Sequence, residues 1–312
     1  MQTKQSATEA ETRQVDAAVT TAKVEKSLFA QKVADYSVLT KFRLSFLVVF
    51  SAVVSYLTAV PFDTVNWMKL LLLGVGGFLL TGASTALNQV IEKDLDSLMD
   101  RTSSRPLPAG RMGATEASIV AGIMSVAGIA ILATFNLLTA VLGAISLLSY
   151  VFVYTPMKRI SPIAVFIGAV PGALPTLIGW VAATGEFGWA GLSLFAVQFV
   201  WQFPHFWAIA WVSYEDYLRG GFSLLPTKNR DKGSALQCLL YCLLLIAVGF
   251  FPYFVGVVGI VASLLTVPVA LFFAWKAWQL YVTLEVKDAR ALMFASFLYL
   301  PLVQLLLLFG KL

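Results

Sequence analysis

Asn88, Glu92 and Asp96 recur at four-residue intervals at the end of an otherwise apolar segment. On a helix, residues at that spacing drift by only about 40° per step, so the three form one stripe about 12 Å long. An amide and two carboxylates converging there are hard oxygen donors. That set suits Mg²⁺, which takes one or two carboxylates and fills its other positions with water and phosphate oxygens. A calcium loop is excluded, because no glycine follows Asp94-Leu95-Asp96 where the sharp turn needs one. Arg101 and Arg105 come next, and Lys158-Arg159 ends the following charged stretch after Tyr154-Thr155-Pro156-Met157. Guanidinium groups grip phosphate oxygens bidentately, and Lys adds a point charge. Acids, a metal and bases on one membrane face describe a diphosphate site.

His205 is the only histidine, set in Trp201-Gln202-Phe203-Pro204-His205-Phe206-Trp207. Eleven residues on, Asp216 lies about three helical turns away and within 20° of the same face. The pair is therefore expected to mirror the acidic stripe across a cavity. The aromatics around them are packing or interface residues, of which a few can shield a carbocation through their π faces.

Such charges restrict where the segment can lie. A charged side chain at a bilayer centre costs roughly 2.5 to 3.5 kcal/mol, so Glu92, Lys93, Asp94 and Asp96 together would cost about 10 kcal/mol or more there. They must sit at a membrane face or line a polar cavity. A membrane is implied by the composition, since 59% of the 312 residues are hydrophobic and only 12% are charged. Apolar runs of spanning length fall at 38–60, 67–90, 114–135, 137–155, 162–183, 189–212, 234–255, 257–281 and 291–309. The expected fold is an all-α polytopic membrane protein, with nine transmembrane helices around a central cavity that opens to the cytoplasmic side.

Charge distribution sets the expected orientation. If the N-terminus is cytoplasmic, all of the 22 Lys and Arg except Lys69 and Lys311 fall on that side. The positive-inside rule then places the C-terminus outside and the chain in the cytoplasmic (inner) membrane. The net charge of +5 reflects these loops and not a nucleic-acid surface. Two long loops, 92–113 and 213–233, lie on the charged side, and function is expected there. Residues 1–36 are polar with no apolar core, so they read as a flexible tail and not a signal peptide, and 37–312 form the membrane domain. Cys238 and Cys242, four apart among leucines, are buried small residues without a disulfide or zinc pattern.

A metal-bound diphosphate in a membrane cavity implies a lipid-like substrate, and ionisation of an allylic diphosphate fits these residues. A cation transporter would place its acids near the midplane and not beside an Arg-rich loop. A structural assembly factor would need neither Asn88 nor the paired arginines.

The motifs resemble those of the UbiA superfamily of intramembrane prenyltransferases, whose first signature is Asn-x-x-x-Asp-x-x-x-Asp followed by an Arg-rich loop. The matching residues are Ala86-Leu-Asn88, Asp94-Leu-Asp96, Met99-Asp-Arg101-Thr102, Arg105, Tyr154-Thr155 with Lys158-Arg159, Gly179-Trp-Val, Thr184-Gly185-Glu-Phe187, Pro204-His205-Phe-Trp and Asp216-Tyr217 with Leu225-Pro226. Glu92 stands where the superfamily usually has Asp. The second acidic motif of the quinone-type members is reduced to His205 and Asp216, which resembles the haem-modifying branch. That resemblance implies farnesyl diphosphate and haem B as substrates, Mg²⁺ as the metal, membrane lipid as the surroundings, and haem A synthase or cytochrome oxidase assembly downstream. It also implies that Asn88, Glu92, Asp96 and Asp216 hold Mg²⁺, that Arg101, Arg105, Lys158 and Arg159 hold the diphosphate, that Asn88 and Asp96 take part in catalysis, and that His205 positions haem or accepts a proton from the adding water. The alternative within the superfamily is an aromatic or quinone acceptor.

Overall fold

The computed structural model describes residues 27–312. Most of the expected tail lies outside the described residues. Its last part, 27–36, is instead helical and belongs to α1 (27–39). This helix is tied to the rest of the chain by polar contacts that apolar patterning does not reveal. Lys32 pairs with Glu116 at 2.9 Å, Tyr36 donates to the same carboxylate at 2.8 Å, and Asp35 pairs with Arg111 at 3.0 Å.

All nine expected spans are helical. They begin with α2 (Phe42–Ala59) and α3 (Trp67–Ile91), which a short α4 (Lys93–Asp96) continues past a break at Glu92. Next come α5 (Ala114–Ala133) and α6 (Leu137–Leu148), the latter passing through a π-helical turn at Ser149–Tyr154 into α7 (Thr155–Met157). Then follow α8 (Ala164–Thr184), α9 (Trp189–Val212) and the short α10 (Tyr214–Arg219). The last third holds α11 (Lys232–Val248), extended by α12 (Phe251–Phe254), and then α13 (Ile260–Thr283) and α14 (Val286–Phe309). Side-chain oxygens at Asn66, Asn136 and Asp231 accept the otherwise unpaired amides at the starts of α3, α6 and α11.

Eight of the nine are both long and apolar enough to cross a membrane. The ninth, α9, has 24 residues, about 36 Å at 1.5 Å per residue, but carries Gln198, Gln202 and His205 inward. Large apolar side chains such as Ile123, Val126, Phe272 and Phe294 point outward on the spanning helices. In water that surface would aggregate, whereas lipid tails solvate it. The chain is a multi-pass membrane protein.

The spanning helices form a closed ring in chain order. Each packs on the next, and α14 returns to α2. Two further pairings, α2 with α8 and α9 with α14, cross the ring and fill its middle. Of the two hollows found near the polar residues, one is a narrow space of about 20 Å³ on the ring axis, among Ser51, Ser55, Thr176, Gln198 and Gln304. The other, of about 440 Å³, lies to one side at the charged face. Neither is a wide central chamber, so that part of the expectation stays open.

Close approach of α2 and α8 depends on Gly179. A Cβ there would lie 2.0 Å from the Ala52 carbonyl oxygen, which is backbone and cannot rotate away. Small residues allow such contacts between helices in lipid, where no hydrophobic drive pulls them together. Gly179→Ala should therefore destabilise the bundle by about 1 to 3 kcal/mol through overpacking. Thermal melting in detergent measures it, and an unchanged midpoint would contradict this packing.

Candidate active site

The end of α3 and the turn after it hold Asn88, Glu92 and Asp96. Although α3 stops at Ile91, the Glu92 amide still donates to the Asn88 carbonyl at 2.9 Å and the Asp96 amide to the Glu92 carbonyl at 2.7 Å. Four-residue spacing thus survives the break, and all three side chains are buried. Asp94, on the other side, is 95% exposed, as its rotation about the helix predicts. Each member of the stripe meets a residue from elsewhere or from the loop that follows. Asn88 Nδ2 donates to Thr155 Oγ1 at 3.2 Å, Glu92 Oε1 lies 2.5 Å from Lys158 Nζ, and Arg105 donates to Asp96 Oδ2 at 2.6 Å.

The π-helical turn shapes the opposite wall. It ends at Thr155, whose hydroxyl donates back to the Tyr150 carbonyl at 2.9 Å, and so delivers Thr155 to Asn88 and Lys158 to Glu92. Lys158 Nζ is also 5.2 Å from the ring centres of Tyr154 and Phe222. Burial pushes its ammonium below the usual lysine range, against the opposing pull of Glu92. Two buried acids and two largely buried bases packed this way form a charge-matched cluster that can exchange partners with a bound polyanion.

Arg101 and Arg159 behave differently, since both are exposed. Arg101 lies over Tyr217 at 5.6 Å. Arg159 lines the hollow of about 440 Å³ together with Glu92, Ile91, Leu95, Thr155 and Ile160. Arg105 and Lys158 thus stand inside the site, with Arg101 and Arg159 at its edge.

The sequence pattern of the UbiA prenyltransferase family matches residues 48–300. The chain belongs to that family. Similar family members include the protoheme IX farnesyltransferase of Cytophaga hutchinsonii, 47% identical over 278 residues that cover 88% of this chain and 97% of that protein. The protein of the same name from Christiangramia forsetii is 43% identical over 290 residues, covering 90% and 95%. Among solved structures, a UbiA homologue from Archaeoglobus fulgidus bound to GPP and Mg²⁺ superposes with a TM-score of 0.69 at 14% identity, over 88% of this chain and 99% of that one. A UbiA homologue from Aeropyrum pernix K1 superposes at 0.65 with 21% identity, over 83% and 95%.

The helix carrying His205 breaks at Ser213 much as α3 does at Glu92: the Ser213 amide still donates to the Ile209 carbonyl at 2.9 Å and the Tyr217 amide to the Ser213 carbonyl at 3.0 Å. Beside the break, Arg230 Nε donates to the Trp211 carbonyl at 2.8 Å and its guanidinium covers Tyr214 at 4.8 Å. His205 and Asp216 meet different partners. Asp216 accepts the backbone amides of Asp100 and Arg101 at 3.1 and 3.3 Å and pairs with Arg219. Burial opposes its charge, but Arg219 and these two amides together hold its carboxyl below the usual range. In this structure Asp216 braces the Arg101 loop. Among the described residues no group of three His, Cys, Asp or Glu is close enough to hold an ion.

His205 turns toward α14. Its ring stacks on Trp201 at 4.5 Å, and Nδ1 lies 2.7 Å from Ser296 Oγ. With its one proton given to the Met293 carbonyl at 2.5 Å, that hydroxyl accepts from the ring in the Nδ1–H tautomer. In that tautomer Nε2 keeps a lone pair.

Some site contacts escaped the sequence reading. Thr155 stood in the matched motif with no role given to it, and Ser296 resembles an ordinary small polar residue within an apolar run. Gln89, next to Asn88, donates to the Leu39 carbonyl at 2.7 Å and fixes the turn before α2. Lys41, in that turn, has its ammonium pushed down to about 7 by burial and by Arg105 and Lys158. Of Ser296, Gln89 and Lys41, only Gln89 offered a signal, by its adjacency to the motif.

Proposed function

We propose that this protein transfers the farnesyl group of farnesyl diphosphate to a vinyl group of haem B, giving haem O and diphosphate. The observation that carries the reading is the buried stripe of Asn88, Glu92 and Asp96 set against Lys158 and Arg105. It lies in a chain 43–47% identical to proteins named protoheme IX farnesyltransferase.

The residues fit Mg²⁺. Glu92 Oε1 is buried and has no well-aligned hydrogen bond, despite its nearness to Lys158. One amide and two carboxylates, without a full protein cage, match an ion that fills its other positions with phosphate oxygens. Asn88, Glu92 and Asp96 would hold it, and it would supply charge neutralisation at the leaving oxygen. Asp216 completes the set if the loop bearing Arg101 shifts. Arg105 and Lys158 release their carboxylates to grip the diphosphate, and Arg101 and Arg159 close over it from the edge.

The allylic C–O bond then breaks with its electron pair leaving on diphosphate. Farnesyl C1 bonds to the terminal vinyl carbon, water adds to the inner one, and the water's proton is lost. Aromatic side chains beside His205, Trp201 and Phe297 among them, would keep other water from the cation. His205 Nε2, lone pair outward, either takes that proton or orients the haem through its iron. The Lys and Arg asymmetry supports an inner-membrane location with the charged face and N-terminus cytoplasmic. Haem A synthase is the expected consumer of the product.

Membranes from cells expressing the protein should convert haem B to haem O when given farnesyl diphosphate and Mg²⁺, seen by pigment extraction and mass spectrometry. A chelator should stop the conversion and added Mg²⁺ restore it. Prenylation of a quinone precursor with haem B left untouched would overturn the assignment.

A further inference from the structure

Among the described residues Lys41 and Lys228 are the basic residues with positive φ, and Lys41, at φ 45° and ψ 56°, sits in the turn between α1 and α2. Such a conformation is normally left to glycine and strains a residue that bears a side chain. Here the turn is held from every side. Gln89 Nε2 donates to the carbonyls of Val38 and Leu39 at 3.3 and 2.7 Å, and Thr85 Oγ1 donates to Leu39 at 3.3 Å. Ser45 Oγ donates to the Thr40 carbonyl at 2.8 Å, and Thr40 packs on the face of α3 at Gly82. Thr85 and Gln89 are neighbours of Asn88 on α3, so the clamp ties the strained turn to the helix that carries the acids. Asp35 and Arg111 anchor α1 just before it.

A glycine in this turn would relieve the strain, so the lysine is kept for its side chain. Its stem is partly accessible, and Arg105, Lys158 and Arg101 repel its ammonium while Glu92 attracts it. Glu92 already has Lys158 at 2.5 Å. Among the described residues no ion pair accounts for Lys41, and the turn that carries it is bound through Thr85 and Gln89 to the helix of the acidic stripe.

We infer that Lys41 is a further diphosphate-binding residue, reaching the anion from the α1–α2 turn. The inference rests on the diphosphate reading above and adds a ligand from an element outside the acidic stripe and its loop. It gives α1 and the Gln89 clamp a purpose, which is to hold a cation where an unoccupied cluster would repel it.

Binding of inorganic pyrophosphate with Mg²⁺ to the detergent-purified protein, measured by calorimetry, tests it. Lys41→Met keeps the stem and removes the charge, Lys41→Gly removes the charge and relieves the turn, and Lys41→Arg keeps the charge. Loss of a charge-assisted contact to phosphate should weaken binding by about tenfold or more in both neutral variants, with Lys41→Arg recovering most of it. In turnover, the KM for farnesyl diphosphate should rise and that for haem B stay unchanged. If Lys41→Met or Lys41→Gly, with a normal melting curve, binds pyrophosphate within about threefold of wild type, the inference is wrong. Should Lys41→Met fail to fold, Lys41→Gly, which suits the turn, decides alone. A wild-type protein that does not bind pyrophosphate would instead bring down the diphosphate reading itself.

Discussion

Asp96→Asn is expected to lower prenyl transfer by about 10² to 10³-fold, the range for removing one electrostatic contributor to a transition state. Asp96 is 1% exposed, its carboxylate receives Arg105 at 2.6 Å, and Thr102 donates to its carbonyl at 2.8 Å. Asparagine fills the same volume and keeps those backbone contacts, so the loop should still close. It lacks the charge that stores Arg105 in position and that would hold the metal. An arginine left largely buried without its partner also costs stability, since breaking such a pair typically costs about 3 to 5 kcal/mol. Melting temperature and activity must therefore be read together. Asp94→Asn is the matched control, because its carboxylate is 95% exposed two residues away. It should keep near-native activity. Loss of activity equal in both variants, or more than a tenth of the rate retained in Asp96→Asn, would remove Asp96 from the chemistry.

That contrast between Asp94 and Asp96 was legible in the sequence, because it follows from helical rotation alone. The spans were too, since apolar runs are bounded by charges that lipid does not tolerate. At the first span the reading started early, at 38, because Val38, Leu39 and Thr40 are unremarkable in composition. The left-handed residue that ends α1 there is a lysine, where a glycine would have announced the turn. Partner choice was less accessible. Glu92 meeting Lys158 and Asn88 meeting Thr155 depend on how the π-helical turn rotates one span, and no spacing within either segment encodes that. The break at Ser213 was hidden for a similar reason, since the Arg230 that meets it comes from the far end of the next loop. Local periodicity foretold what each segment is; the long-range polar contacts decided which way its ends point.

His205→Ala carries the other large expected effect, at least about 10²-fold loss of haem O formation, with normal membrane insertion and melting. The ring is buried between Trp201 and Phe297, and its one polar contact is with Ser296. A merely structural histidine in that setting would be replaceable by another planar or amide side chain that donates to Ser296, such as Asn or Gln. A functional one would not, because in the Nδ1–H tautomer Nε2 is an unprotonated ring acceptor that an amide does not supply. Ser296→Ala separates the two further. It removes the hydroxyl that fixes the tautomer and leaves the ring in place, and losing such an orienting partner typically costs about 10 to 100-fold. If Nε2 meets the haem iron, Ser296→Ala and His205→Ala should change the optical spectrum of added haem B while pyrophosphate binding stays at wild-type strength. If it takes the proton from the adding water, haem binding should persist, and diphosphate release should outrun haem O formation as the cation is lost to other products. Activity in His205→Gln near that of wild type would exclude both roles and leave His205 as packing.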